Sequence, residues 1–508
     1  MAIGRSLFVV TAAGWLAGCA VGPDYLTPGM PVPGGFGASL GAAAAGSDTT
    51  PAASVTRWWR ALRDRELNSL EDRAVVANPD VEIALMRVQQ AREQEIVVLG
   101  AALPQVGISS AEAIGSGPNS VKGRVAQSLN AGINTTGLTS VTQMSGFDAG
   151  WELDLFGKYR RELEAARDDT EVALEFRNAV LITAMADVAR NYVTLRGLQA
   201  QITVVGENIA LAQKTVDLVQ TRFDRGLTNE LDVTLAKREL ATLQSQLPPL
   251  LAAVTEAESR IALLLGTYSQ DIAGELKGDG KIPHTPGRTR PGRPIDLLRR
   301  RPDIRQAERE LAAATARIGV ATADLFPRAA LIAGVGLQGG PSPGGATPFH
   351  GPIWSVGPGA YWPVLDFGRL DAIIDAAEFQ ARALLVNYQK VVQAAVEDVV
   401  DAIKRYREEL DRLRSLGTAL DESKRAVTIA TERYERGLTD FLNVLDAQRQ
   451  EYDLESQYAA EQATVAIQYV ALYKALGGGW ELYQDIPPIP EPQPAVVATF
   501  RRLSAPVQ

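Results

Sequence analysis

The sequence is short of the residues that catalytic and nucleic-acid-binding proteins rely on. In 508 residues it has one cysteine, two histidines and only 6% aromatic residues. A single cysteine permits no intrachain disulfide, so redox chemistry does not staple the fold. His284 and His350 stand alone among Gly and Pro, without metal-ligand spacing. No GxxxxGK[ST] loop, HExxH helix, CxxC pair or GxSxG elbow occurs anywhere. The chain therefore reads as a non-enzyme, with no cofactor or metal site expected. A net charge of −9, with no interleaving of basic and aromatic residues, excludes a nucleic-acid surface. Beyond the first 19 residues there is no run of 18 apolar residues, so a mature chain that crosses a bilayer must do it with strands.

What is present begins at the N-terminus. "MAIGRSLFVVTAAGWLAGC" has one Arg, an apolar stretch and then small residues, the grammar of a signal peptide over residues 1–18. "LAGC" resembles the bacterial lipobox, in which cleavage precedes the cysteine and a lipid is attached to it, here Cys19. A plain secretion signal with an incidental cysteine is the alternative. Ala20 follows where inner-membrane retention usually wants Asp, which by analogy directs the lipoprotein to the outer membrane.

The rest of the chain is written twice. "RGLTNELDV" from Arg225 is echoed by "RGLTDFLNV" from Arg436, and 436 minus 225 gives an offset of 211. The same offset relates Trp151 to Trp362, Phe156 to Phe367 and Gly266 to Gly477. Upstream, "NPD" ending at Asp80 matches "RPD" ending at Asp303, and Pro104 matches Pro327, at an offset of 223 (327 minus 104). Two copies of this length form a tandem structural repeat rather than a solenoid. Each copy has one helix, two extended segments around a Gly- and Ser-rich loop, and then a long helical hairpin.

The apolar positions from Ala184 to Phe223 step by three and four with one exception, Asn191, over about six heptads. Leu385 to Leu413 repeat the pattern. A helix between Gly157 and Gly226 would be about 100 Å long at 1.5 Å per residue. A coiled coil or bundle core shares this periodicity. Each long helix ends at "RFDRG" or "RYERG", where Gly226 or Gly437 suits a left-handed residue past a C-terminus, and Thr228 or Thr439 suits the cap of the return helix. The tips Gly226, Leu227, Thr228 and Gly437, Leu438, Thr439 offer a partner matching handles; good turn chemistry alone would write them too.

The lipobox, "RWWRALRDRELNSLEDRAVVANPD" (residues 57–80), the paired "FG" joints and the paired "RGLT" tips together resemble the outer membrane factor family, the TolC-like group, in its NodT-type lipoprotein branch. The resemblance implies a homotrimer in which four strands per chain complete a twelve-stranded outer-membrane β-barrel, continued by a periplasmic α-helical barrel of coiled-coil hairpins with an equatorial mixed region. It further implies the exit duct of a tripartite efflux system, docked to a periplasmic adaptor and an inner-membrane transporter of RND type. On this reading the chain divides into a lipidated tether (19–56), a first repeat (57–266, strand hairpin about 104–153), an equatorial linker (267–300), a second repeat (301–477, strand hairpin about 328–364) and a Pro-rich tail (478–508).

In relatives the segment after the second tip lines the periplasmic aperture, and the matching gate positions here are Leu442 and Asp446. Their i, i+4 spacing puts them on one helix face. A ring of Asp446 would favour cations; Asn443 stands where some relatives have another aspartate. Tyr434, Arg436, Arg222 and Arg225 are the residues expected to support a closed gate. Pro248 and Pro249 are expected to break the return helix at the equator. Two other functions remain open from the sequence: a protein-secretion duct, and a non-channel periplasmic coiled-coil lipoprotein.

Overall fold

A computed structural model describes residues 20–36, 55–112, 143–278, 280–287, 292–341 and 348–483. Cys19, residues 37–54 of the tether and residues 484–508 of the tail lie outside the described residues. After a short 3-10 turn at Trp58–Leu62 come α1 (Arg65–Ala77), α2 (Pro79–Ala101), β1 (Gln105–Glu112), β2 (Gln143–Leu153), α3 (Lys158–Asp224) and α4 (Glu230–Leu264). Then follow α5 (Ser269–Leu276), α6 (Pro294–Arg300), α7 (Pro302–Ala323), β3 (Arg328–Pro341), β4 (Pro348–Tyr361), α8 (Arg369–Glu435) and α9 (Phe441–Ala475). The long helices α3 and α8 each have 67 residues, and the return helices α4 and α9 each have 35.

Helices lie side by side in one layer. On the strand side the order is α2, α3, α7, α8; on the tip side it is α4, α3, α9, α8. The strands form one antiparallel sheet in the order β1-β2-β3-β4, so each strand continues the helix beside it.

Where the two levels meet, local chemistry repeats. Asn78 caps α2 by accepting from the amides of Asp80 (2.9 Å) and Val81 (3.1 Å), with Pro79 in the first turn. Its side-chain nitrogen donates to the Leu264 carbonyl at 2.8 Å, which fastens the end of α4 to the start of α2. Arg301, before Pro302 of α7, donates to the Ala475 carbonyl at 3.0 Å and fastens the end of α9 likewise. Around these joints sits the main core, where Trp58 and Trp59 are fully buried and Trp58 stacks on Tyr473 with ring centroids 6.0 Å apart.

Register explains why the strands look weakly patterned in the sequence. Val106 and Ile108 align with Ala149 and Phe147, these with Ala333 and Val335, and these with Val356 and Trp354. Across these rows one face of the sheet is therefore apolar, and further along β1 and β2 it turns polar, where Ser110 and Ser145 bond each other at 2.7 Å. The other carries Gln105, Gly107, Asp148, Gly150, Gly334, Gly336, Ser355 and Gly357. Glycine is needed at one crossing: a Cβ on Gly146 would sit 2.5 Å from the Val335 carbonyl oxygen.

Three expectations need correction. Helix α4 runs unbroken through Pro248 and Pro249, which remove only their own two backbone donors while both flanks stay helical. The linker packs elsewhere, at the level where Arg196 (3.2 Å) and Gln199 (3.0 Å) donate to the Leu276 carbonyl and Tyr406 donates to that of Pro286. The Gly- and Ala-rich composition of residues 27–54 predicts a flexible tether, yet its start is docked. Val21 donates to the Phe156 carbonyl (3.1 Å), Arg161 binds Asp24 (2.6 Å), Thr27 donates to Glu308 (3.1 Å), and Phe36 is buried in the main core.

Candidate gate and hairpin tips

Both tips are built alike. The amide of Leu227 donates to the Arg222 carbonyl (2.9 Å), and that of Leu438 to the Arg433 carbonyl (2.8 Å), with Gly226 at φ 70° and Gly437 at φ 72° between. These are the 6→1 bonds of a Schellman motif, which needs a left-handed residue at the glycine. Leu227 and Leu438 project from the turns, 62% and 63% exposed.

The return helices start one residue later than the threonines suggested. Asn229 caps α4 by accepting from the Asp232 amide at 3.0 Å, while Thr228 donates to the Asp232 carboxylate. In the second tip Asp440 occupies the cap position without a side-chain bond, and Thr439 accepts from Asn443 at 2.7 Å. Asparagine and aspartate outrank threonine as caps, which accounts for the shift.

Just past the second tip, α9 turns Phe441, Val444 and Leu445 inward against Val216, Val219, Val233 and Tyr434. Leu442 and Asp446 are thereby held on the opposite, exposed face, with Leu442 56% exposed. Gln450 donates to Asp446 at 3.0 Å, and Gln457 to Asp453 at 2.7 Å, so each of these two carboxylates is held by a glutamine one turn further along α9.

Of the four expected supports, the structure brings two together. The guanidinium of Arg222 lies 4.7 Å from the Tyr434 ring centre, and Tyr434 tilts against Phe441 at 5.6 Å. This links α3 to α8 across the hairpins. Arg225 and Arg436 stay exposed at their helix ends, and Arg436 reaches Glu432 of its own helix, at 3.9 Å.

Sequence reasoning missed a second link. Arg449 donates to the buried Glu239 at 2.6 Å, and Gln448 donates to Thr215 at 3.2 Å, both joining α9 to the first hairpin. Higher up, α8 and α9 meet through charge: Lys424 pairs with Glu455 (2.8 Å) and Arg412 with the buried Glu461 (2.9 Å). Burial, with the Glu409 carboxylate close by, pushes the Glu461 carboxyl up to about 7 against the pull of Arg412.

A four-stranded sheet with one apolar face, set end-on to a layer of very long helices, defines an outer-membrane channel with a helical extension. Residues 70–267 and 294–478 match the outer membrane efflux protein family, and the chain belongs to that family. It is an outer-membrane efflux channel. It is 31% identical over 467 residues to nodulation protein T of Rhizobium leguminosarum bv. viciae, covering 92% of each chain. It is 30% identical over 493 residues to the pyoverdine export outer membrane protein OpmQ of Pseudomonas aeruginosa, covering 94% of this chain and 97% of that one. The solved outer-membrane channel OprN superposes with a TM-score of 0.78 at 32% identity, over 91% of this chain and 100% of that one.

Proposed function

We propose that the chain is the exit duct of a tripartite efflux system, working as a homotrimer that passively conducts small molecules such as drugs from periplasm to exterior. The observation that carries this is the sheet: its apolar face suits lipid, while among the described residues β1 and β4 each leave an edge without a strand partner. Unpaired edges in hydrocarbon cost several kcal/mol per backbone group, so copies must join edge to edge until the barrel closes. The polar face then lines the lumen.

Leu442 and Asp446 form the periplasmic gate in this reading, supported by the Arg222–Tyr434 contact. The exposed tips with Leu227 and Leu438 dock a periplasmic adaptor, which connects to an inner-membrane transporter of RND type. Cys19 carries the lipid. Ala20 after it packs against Gly157, where β2 passes into α3. Energy comes from the partner.

Single-channel conductance in planar bilayers tests this. Wild type is expected to give small, mostly closed events that become large in Leu442→Ala/Asp446→Ala. A channel indifferent to both substitutions removes the gate and keeps the duct. No conductance from an inserted oligomer removes the duct.

A further inference from the structure

The joints between sheet and helices are the same contact made twice. Trp151 donates through its ring nitrogen to the Ala102 carbonyl (3.0 Å), and Trp362 to the Leu325 carbonyl (2.9 Å), residues related by offsets of 211 and 223. The sheet obeys the same offsets: Gln105 faces Gly150, and Arg328 faces Tyr361.

One joint has no counterpart inside the chain. Between the halves, Phe156 stacks on Phe326 with centroids 4.6 Å apart, while β2 pairs with β3 so that Trp151 faces Leu331 and Leu153 faces Ala329. Shifted by the two offsets, those residues become Phe367 against Leu103, Trp362 against Ile108, and Val364 against Val106. All six are exposed in the single chain, Phe367 by 92% and Leu103 by 51%. Phe367 is also one of two described non-glycine residues at positive φ, 58°, a conformation its equivalent Phe156 does not share.

We infer that Phe367 is an assembly anchor: it packs on Leu103 of a second copy, while the segment after β4 pairs with that copy's β1 in the register Trp362 to Ile108 and Val364 to Val106. Parity supports the register. Trp362 and Val364 continue the apolar series Pro358 and Ala360, and Val106 and Ile108 lie on the same apolar face, whereas a slip of one residue would turn that face inward. The joined copies then make at the chain boundary the contact that the chain makes at its own middle, where Phe156 and Phe326 are half-buried against each other. This rests on the reading that copies close the barrel, and it adds which residues meet.

The test is cross-linking of full-length protein carrying Val106→Cys and Val364→Cys with a short bis-thiosulfonate reagent, with native mass measured in parallel. Denaturation-resistant multimers are expected from the double variant and not from either single variant. Val106→Cys with Trp362→Cys, two residues out of register, should couple far less. Faster coupling of that shifted pair, or no coupling within a verified oligomer, overturns the register and leaves the duct standing. A monomeric native mass overturns both.

Phe367→Ala should leave helix content unchanged and reduce detergent-resistant oligomer about tenfold, with Phe367→Leu restoring it. An alanine variant as resistant as wild type overturns the anchor. Phe156→Ala removes the equivalent contact within the chain, and its defect should be in folding instead.

Discussion

Arg449 and Glu239 meet at 2.6 Å and tie together α9 and α4, the return helices flanking α3, with the carboxylate buried and the guanidinium half exposed. Removing Arg449 strands a buried charge, while neutralising Glu239 does not. Arg449→Ala should therefore cost about 1–2 kcal/mol, more than Glu239→Gln, because solvent screens the exposed half of the pair. Denaturant unfolding of both variants checks the order, and equal costs would refute it.

Asn78 satisfies two amides at the start of α2 and the carbonyl of Leu264 at the end of α4. Asn78→Ala should lose about 1–2 kcal/mol through the missing cap and the orphaned carbonyl. Asn78→Asp keeps the acceptor and should recover part of it. A thermal midpoint unmoved by alanine would show that water replaces the side chain at no cost.

Glu461 titrates near 7 because it is buried beside Glu409, far above the ordinary 4.5. Folding thus favours its protonated form: the contribution is complete below about pH 4.5 and is lost as pH rises through 7. Glu66 beside Glu275 behaves alike, also pushed up to about 7. The wild-type midpoint should fall between pH 5 and pH 8, and Glu461→Gln should flatten part of that slope. An unchanged slope would assign the pH dependence elsewhere.

Gly437 holds φ 72° with open space around its missing side chain, so a substitution there is penalised by backbone alone. Gly437→Val should cost about 1–2 kcal/mol locally and Gly437→Asn much less. Amide exchange at Leu438, whose bond to Arg433 closes the turn, is the direct readout; protection in the valine variant equal to wild type would contradict it.

The helical hairpins and the face shared by Leu442 and Asp446 were legible because they depend on short-range periodicity and glycine punctuation. The apolar band on one face of the sheet was not. Ile108, Phe147, Val335 and Trp354 are scattered through the sequence, and only register lines them up. Glu239 and Arg449 stand 210 residues apart in unremarkable helical surroundings, so no local signal announces the pair. The Pro248–Pro249 pair misled in the other direction, since helix length and flanking hydrogen bonds outweighed two missing donors. The docked start of the tether escaped notice because its Gly- and Pro-rich composition is that of a loop, and its order comes from partners such as Arg161 and Glu308 far along the chain.

The matched lengths of α3 with α8 and of α4 with α9 act as a ruler. Lengthening one hairpin by a heptad would lift its tip about 10 Å past the other and throw every rung between them, Arg222 with Tyr434 and Arg449 with Glu239 included, out of step. The reach of this duct can therefore change only by concerted insertion into all four helices at once, which makes its span across the periplasm a property inherited in whole heptads or not at all.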